Sequence, residues 1–287
     1  MRALIKEAGQ VRVVEVPTPS LRRADDVLVR VLVAGICRTD LHVAAGRIAS
    51  ADPITLGHEL CGRVVACGPA AAVEVGVLVS VHPVIDGGFL GITHHGAFAD
   101  FLVVPARNVL VLPEVDPRAG AYVEPIAAAL AVPEALAGRT DRVGVFGVNR
   151  FADLVGEVLR LDGFAVERIT EAGHSIGRAA IDVGVETSGT AAELAILCDA
   201  LRPGGLLVLK SRNPGTVPLP ISVVVEKRLE LRGVHYGSFS RAVELVSTGG
   251  LALAPLFGEV MPLARWEDAF ARSGEAHKLF LGDPCAG

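Results

Sequence analysis

Apolar and polar positions follow two different patterns along the chain, and the pattern changes near residue 120. Before that point, short apolar runs are bounded by Gly and Pro, as at residues 26–33, 62–66, 77–81 and 98–105. Runs of this length between turn residues are typical of β-strands. We therefore expect the first part of the chain to form a small β-rich unit, either a barrel or a sandwich.

Beyond residue 120, segments of strand length alternate with segments of helix length. Helices are predicted over 125–136, 151–162 and 191–201, with strands over 142–147, 164–169, 181–186, 206–209 and 229–234. Such alternation forms parallel βαβ units. We therefore predict an α/β protein in which residues 125–236 form a doubly wound parallel sheet, while residues 1–124 and 237–287 form a β-rich catalytic domain. A length of 287 residues agrees with two domains.

The predicted parallel sheet is one strand short of the six in a doubly wound dinucleotide-binding fold. Only residues 170–180 separate the strand at 164–169 from the strand at 181–186. A parallel crossover needs about a dozen residues or more, so no further strand fits there. In the order 3-2-1-4-5-6 the third strand is an edge. We expect that strand to be missing, and Glu167 and Arg168 to guard the new edge at 164–169.

Charge and cysteine content narrow the class of partner. Lys and Arg number 27, Asp and Glu 32, and no basic run stands out, which argues against a nucleic acid or an anionic membrane as partner. No apolar stretch approaches about 18 residues, so no transmembrane helix is expected, and no secretory signal is expected at the N-terminus. The five cysteines suit a reducing cytoplasm, as free thiols or metal ligands.

Three short segments carry residue types that bind metals. They are Gly35–His42, which includes Cys37, Gly57-His58-Glu59, and Val123-Glu124-Pro125. Cysteine, histidine and carboxylate are ligands of zinc, and three protein ligands with one open position are the catalytic arrangement. Taken singly each segment is weak evidence, because a lone strand-end cysteine is usually inert and a Glu before Pro usually starts a helix.

Together, and in this order, the segments resemble the zinc-containing alcohol dehydrogenase branch of the medium-chain dehydrogenases/reductases. The resemblance covers nearly the whole chain and is carried by residues 35–42, 57–68, 96–113, 123–130, 181–189, 201–209, 227–233 and 274–281. It implies a GroES-like catalytic domain, a Rossmann domain, and one catalytic zinc held by Cys37, His58 and Glu124. Glutamate as third ligand is most similar to the sorbitol/polyol and threonine dehydrogenases.

The same resemblance implies roles for four neighbours of these ligands. Glu59 matches an acid beside the zinc that can approach the metal when ligands exchange. Thr39 matches the hydroxyl that takes the proton of the alcohol. Asp40 matches a carboxylate behind the ligands, where it is expected to be the partner of a ligating histidine. His42 either continues the proton path to solvent or is a plain surface histidine.

The sequence departs from the family in two places. Residues 82–95 contain no cysteine, so the four-cysteine structural zinc of most relatives has no ligands here. The G-x-G-x-x-G fingerprint of the nucleotide domain reads Gly147-Val148-Asn149-Arg150-Phe151-Ala152. Gly147 keeps the tight turn, and Ala152 is allowed for helix–strand packing.

Asn149 is the costly departure, because the middle glycine lets the backbone approach the pyrophosphate. Asn tolerates a positive φ, and its amide is expected to donate to a phosphate, while Arg150 is expected to pair with one. Glu171 is expected to hold the ribose, which favours NAD(H) over NADP(H). A turn that binds no nucleotide stays open as the alternative.

Three functions remain open at this point. The first is a zinc-dependent oxidoreductase that transfers a hydride between an alcohol or polyol, expected from the resemblance to be a secondary alcohol, and NAD(P). The second is a non-redox zinc enzyme catalysing elimination, hydration or isomerisation, which Asn149, the missing strand and Lys210 favour. The third is a non-catalytic partner subunit. A homodimer through residues 229–234 is expected by analogy of fold alone.

Overall fold

The computed structural model of the chain describes residues 1–138, 142–170, 177–274 and 277–283. The chain divides into two compact units, one made of Met1–Glu124 with Phe239–Gly287 and the other of Pro125–Ser238. None of the helices in the described ranges is both long and apolar enough to cross a membrane.

The first unit is rich in short strands up to residue 124. Its elements in chain order are β1 (Arg2–Glu7), β2 (Gln10–Glu15), β3 (Asp26–Gly35), α1 (Arg38–Ala44), β4 (Ile54–Thr55), β5 (Glu59–Cys67), β6 (Leu78–Val81), β7 (Val84–Ile85), β8 (Gly88–Phe89), β9 (Phe101–Pro105), β10 (Val109–Leu112) and α2 (Pro117–Ala121). The predicted β-rich unit is confirmed. Its alternating apolar runs become strands because one face of each can be buried.

The second unit is a parallel sheet with helices between its strands. Its elements are α3 (Val123–Ala135), which begins just before the unit, then β11 (Arg142–Phe146), α4 (Arg150–Leu161), β12 (Ala165–Ile169), β13 (Ile181–Glu186), α5 (Ala191–Ala200), β14 (Leu201–Leu209), α6 (Ile221–Lys227) and β15 (Glu230–Gly233). The strand predicted over 206–209 begins earlier, because Leu201 already pairs with Ile181 before the register shifts.

The order of the parallel strands confirms that one edge strand is missing. In the described residues it is β12-β11-β13-β14-β15, with β12 at the edge. That is the order 2-1-4-5-6 of a doubly wound sheet without its third strand. Arg168 pairs with Asp153 of α4, and Glu167 lies 3.3 Å from the guanidinium of Arg142. Both charges of the predicted guarded edge are thus engaged in ion pairs.

The chain then returns to the first unit through α7 (Phe239–Thr248), β16 (Phe257–Met261), α8 (Trp266–Arg272) and β17 (Lys278–Gly282). The main sheet of this unit has the order β10-β6-β5-β3-β17-β16, and β9 also pairs with β3. Strand β3 therefore has β5 on one side and β17 on the other. This arrangement brings the end of β3, the start of β5 and the start of β17 to one place, around Gly35.

Candidate functional site

Cys37 lies at the N-terminus of α1, two residues after β3 ends. It is the residue that caps α1, with extended dihedrals of φ −106° and ψ 155°. Its backbone N–H donates to Oδ2 of Asp40 at 2.9 Å, so the carboxylate closes the first turn of the helix. The position of the thiol is thus fixed by the strand on one side and by Asp40 on the other.

Asp40 also holds His58. Its side chain is almost fully buried, and its Oδ1 lies 3.1 Å from Nδ1 of His58 and accepts a hydrogen bond of 3.2 Å from the N–H of Gly57. A carboxylate at Nδ1 favours the proton there and leaves Nε2 as the nitrogen that can bind a metal. The structure therefore places the predicted partner of a ligating histidine beside that histidine.

Gly57 is required immediately before His58. Its φ is +95°, a region that L side chains rarely adopt, and a Cβ atom at this position would lie 2.8 Å from the backbone nitrogen of Phe98. Glycine therefore permits the turn that aims His58 at Cys37 and Asp40.

The charge around His58 is negative. Burial alone would lower the pKa of its imidazole, but Asp40 and then Cys37 act against burial, and the pKa lies well above its usual value. A buried imidazole whose proton is stabilised by neighbouring acids marks a place where a cation is favoured.

Cys37, His58 and Glu59 converge into one cluster. One ligand atom from each lies within 4.8 Å of the others, and His58 and Glu59 are buried. Thiolate, imidazole and carboxylate together are the donor set of a zinc site. The residues present therefore fit the metal that the sequence predicts.

Glu59 reaches the cluster because β5 and β3 pair in register. Glu59 lies opposite Gly35, two residues before Cys37. Its Oε2 forms an ion pair with Nζ of Lys278, which begins β17, and both side chains are almost completely buried. A Cβ on Gly35 would lie 2.5 Å from that Oε2, so glycine makes room for the pair. The ammonium of Lys278 also lies 5.4 Å from the centre of the Tyr122 ring.

The predicted third ligand, Glu124, does not join the cluster. It is buried in the first turn of α3, but its carboxylate is outside the set of described ligand atoms that lie within 4.8 Å of one another. Of the two glutamates, Glu59 is the one whose carboxylate lies with the ligand atoms of Cys37 and His58, since strand pairing fixes it there. Glu124 as the third zinc ligand therefore stays a prediction, and Glu59 is a second carboxylate that lies close to Cys37 and His58.

Thr39 and His42 lie three residues apart in α1, so they share one side of the helix. Both are half-buried. Burial, and then Arg47 and Arg38, lower the pKa of His42. Its Nδ1 is buried and has no hydrogen-bond partner among the described residues. A neutral imidazole with an unused nitrogen is able to accept a proton, as the expected relay requires.

No role in the site is predicted from the sequence for two residues that lie near the cluster. Lys278 lies far along the chain in an ordinary apolar strand. Phe89 belongs to the short β7–β8 hairpin that replaces the cysteine-bearing lobe, and its ring centre lies 5.2 Å from that of His58. Lys278 reaches Glu59 because β17 pairs antiparallel with the end of β3. No local sequence pattern predicts that pairing.

In the second unit, Asn149 behaves differently from the prediction. Its φ is −125°, so the turn does not use the positive φ that asparagine tolerates. Its Oδ1 accepts hydrogen bonds from the N–H groups of Phe151 at 3.1 Å and Ala152 at 3.0 Å. Nδ2 donates to Oγ1 of Thr187 at 3.1 Å, which uses one of the two N–H bonds of the amide, so donation by the other to a phosphate stays a prediction.

The other predicted cofactor residues surround this turn. Gly147 has φ +108°, as the tight turn after β11 requires. Arg150 is the first residue of α4, and Ala152 is buried on the helix face that packs against the sheet. Glu171 lies outside the described residues.

Lys210 directly follows β14, and its charged group is bound by the backbone of the same unit. Its side chain is buried, its backbone N–H donates to Oε1 of Glu186 at 2.6 Å, and its Nζ donates to the carbonyl of His235 at 2.6 Å. The ammonium also lies 5.7 Å from the centre of the Phe151 ring.

Comparison with known proteins supplies the family. The model of the alcohol dehydrogenase GroES-like domain matches residues 23–114. The L-threonine 3-dehydrogenase of Saccharopolyspora erythraea is 30% identical, with 98% of each chain covered. That alignment spans 344 positions, more than the 287 residues of this chain, so the relative contains segments that are missing here.

Two further proteins match over similar lengths. A Mycobacterium tuberculosis protein named "Probable zinc-binding alcohol dehydrogenase" is 30% identical, with 98% of this chain and 88% of its own chain covered. The crystal structure of a candidate zinc-binding dehydrogenase from Sinorhizobium meliloti, bound to NADP, has a TM-score of 0.87 at 24% identity, with 98% of this chain and 99% of its own covered. The latter likeness concerns the fold.

Proposed function

The chain belongs to the zinc-containing alcohol dehydrogenase family of the medium-chain dehydrogenases/reductases, in the threonine and polyol branch, and we propose that Cys37 and His58 form the core of its metal centre. It is a zinc- and NAD(P)-dependent oxidoreductase that acts on an alcohol or polyol. Of the functions that the sequence left open, the comparisons support this one over non-redox chemistry. The observation that carries the proposed centre is the convergence of Cys37, His58 and Glu59, with Asp40 behind His58.

Each residue of the centre has a separate task. Cys37 and His58 bind one zinc ion, and a carboxylate completes the set, either Glu59 from its place in the cluster or Glu124 after a movement toward it. When bound, zinc supplies Lewis acidity that lowers the pKa of the substrate hydroxyl. Asp40 keeps the proton on Nδ1 of His58 and so orients Nε2. Thr39 takes the proton of the alcohol, and His42 passes it toward solvent.

The substrate is a small molecule with a secondary hydroxyl group. The L-threonine dehydrogenase relative supports this class, because its name places the reaction at position 3 of threonine. The cofactor is NAD(H) in preference to NADP(H), because Glu171 would repel a 2′-phosphate. Titration with NADH and NADPH tests the preference, and Glu171→Ala should narrow the difference between the two dissociation constants.

Metal analysis with paired cysteine variants tests the centre. The parent should contain one zinc per chain, and Cys37→Ala should lose both zinc and the NAD(P)-dependent oxidation of secondary alcohols. Cys67→Ala is the matched control, because Cys67 is half-buried in the same unit and its Sγ donates to the carbonyl of Val73 at 3.2 Å. Retention of zinc by Cys37→Ala, or its loss from Cys67→Ala, would refute the assignment.

The chain pairs with a second copy of itself through β15. This strand is the far edge of the parallel sheet, all four of its residues are exposed, and Leu231 remains 40% exposed. An open strand edge pairs readily with another strand. Sedimentation should give a dimer for the parent and a monomer for Leu231→Lys; a monomeric parent would contradict the proposal.

A reducing compartment, the cytoplasm, is the expected location. Cys37, Cys61, Cys67 and Cys198 are free thiols. Thiols that stay unpaired suit a compartment that keeps them reduced. Fractionation of cells that express the tagged chain tests this expectation.

A further inference from the structure

In the turn after β11, the side chain of Asn149 occupies the place where the pyrophosphate of a dinucleotide would bind. The carboxamide oxygen of Asn149 accepts both of its hydrogen bonds from the first turn of α4, at the backbone N–H groups of Phe151 and Ala152. Helix N-termini bind anions through these first N–H groups, and in the doubly wound fold the pyrophosphate of the cofactor uses the helix after the first strand. The donors that should meet the pyrophosphate are therefore taken by a side chain of the protein.

The carboxamide is held from its other end as well. Its Nδ2 donates to Oγ1 of Thr187, and that hydroxyl donates in turn to the carbonyl of Phe146 at 2.9 Å. Thr187 follows β13 and is fully buried, so the side chain of Asn149 links the ends of two adjacent strands to the start of α4. A Cβ at Gly147 would lie 2.8 Å from Nδ2, so the glycine leaves the space that this side chain fills.

A glycine at position 149 would leave these donors open, whereas asparagine closes them with an oxygen that resembles a phosphate oxygen in its hydrogen bonding. A backbone N–H makes one strong hydrogen bond, so the carboxamide and the pyrophosphate compete for the same two donors. The residues present therefore do not fit the pyrophosphate in the conformation observed.

We propose that Asn149 is an internal occupant of the pyrophosphate site, which sets the affinity for the nicotinamide cofactor through the cost of its displacement. This inference rests on the proposed function, since it assumes that the cofactor is NAD(H) or NADP(H). Asn149 is a positioning residue for this turn, and the cofactor binds only when its side chain leaves the two N–H groups.

Three substitutions separate occupancy of the donors from stability of the helix. Asn149→Gly and Asn149→Ala both free the donors, but glycine is nearly as good a helix cap as asparagine and alanine is not. Asn149→Asp keeps an acceptor on the same N–H groups and adds a negative charge that opposes a phosphate. Thr190→Ala is the matched control, because Thr190 caps α5 in the same unit by accepting from the N–H of Glu193 at 3.2 Å.

The experiment measures dissociation constants for NADH, NADPH, ADP-ribose and adenosine on the zinc-loaded full chain, with the melting temperature of each variant. Asn149→Gly and Asn149→Ala should bind NADH about tenfold more tightly than the parent, a change of about 1.4 kcal/mol. Asn149→Asp should bind more weakly. The gain should extend to ADP-ribose, which contains the pyrophosphate, and not to adenosine.

For Asn149→Ala, the melting temperature should fall while the affinity for NADH rises. Asn149→Ala and Thr190→Ala should each melt about 2–4 °C lower, and only Asn149→Ala should gain affinity. A purely structural cap would lower stability and affinity together. If the parent binds NADH as tightly as Asn149→Gly does, the inference is overturned and the proposed function stands. If none of the proteins binds a nicotinamide at millimolar concentration, both are overturned.

Discussion

The buried ion pair between Lys278 and Glu59 gives the sharpest test of how the first unit is held together at its candidate metal centre. Replacing Lys278 by methionine keeps the length of the side chain and removes its charge. The carboxylate of Glu59 is then left in the interior, where only 3% of the Glu59 side chain and 5% of the Lys278 side chain are exposed. Removing one partner of a buried pair typically costs about 3–5 kcal/mol, because the remaining charge has lost both water and its counter-ion.

The unfolding of this unit is measurable by itself. Trp266 is the only tryptophan of the chain, and it begins α8, the helix that packs on the strand carrying Lys278. Urea denaturation of the metal-free protein, followed by tryptophan fluorescence, therefore reports the unit that contains the pair. Lys278→Met should lower the free energy of unfolding by about 3–5 kcal/mol. Removing the charge of Glu59 as well, with Glu59→Gln, should restore at least half of the loss.

An exposed pair in the same unit is the control. Arg2 lies 2.9 Å from Asp100, and its side chain is 56% exposed. Because such pairs contribute little, Arg2→Gln should change the free energy of unfolding by no more than about 1 kcal/mol. If Lys278→Met costs as little as Arg2→Gln, or if the effects of Lys278→Met and Glu59→Gln simply add, the pair does not stabilise the unit as argued.

Three further perturbations have defined outcomes. Asp40→Asn removes the carboxylate behind His58 and should weaken zinc binding about 10–100-fold in a competition assay with a chromogenic chelator, while unchanged affinity would contradict the role of Asp40. Thr39→Val should keep the zinc and lose turnover, measured under conditions where chemistry limits the rate; unchanged turnover would exclude the proton relay. Burial raises the pKa of the Cys61 thiol to about 12, so the unfolded state releases this proton first. Through this thiol the free energy of unfolding should fall by up to about 1.4 kcal/mol per pH unit above pH 9, and Cys61→Ala should remove this contribution while that of Cys67 and Cys198, whose pKa burial also raises, remains.

The fold was predictable from the sequence because its strongest constraints are local. Eleven residues between two predicted strands leave no room for a crossover and a further strand, and together with the strand order of a doubly wound sheet this predicts the order 2-1-4-5-6 that the sheet adopts. Likewise, the spacing from Cys37 to Asp40 lies within one helical turn, so a motif of a few residues already contains the contact between them.

The rest of the site depends on contacts between distant segments. Lys278 reaches Glu59 only through the pairing of β17 with β3, and Glu59 reaches Cys37 only through its register opposite Gly35. No local pattern distinguishes Glu59 from Glu124 as the nearer carboxylate. The conformation of Asn149 could not be predicted for a different reason. Asparagine is favoured both at positive φ and as a helix cap with negative φ, so the residue type alone does not decide between the two.

The two departures from the family therefore have different physical consequences. In the first unit, loss of the cysteine-bearing lobe leaves a short hairpin whose Phe89 packs beside His58, and the donor set of Cys37, His58 and Glu59 stays together. In the second unit, the asparagine at position 149 supplies a side-chain oxygen that accepts hydrogen bonds from the first N–H groups of α4. Shortening that segment leaves the metal-binding side chains together, whereas a single side chain inside the binding turn acts directly on the free energy of cofactor binding. Affinity for the nicotinamide is for this reason the property in which we expect this chain to differ most from a relative with glycine at that position.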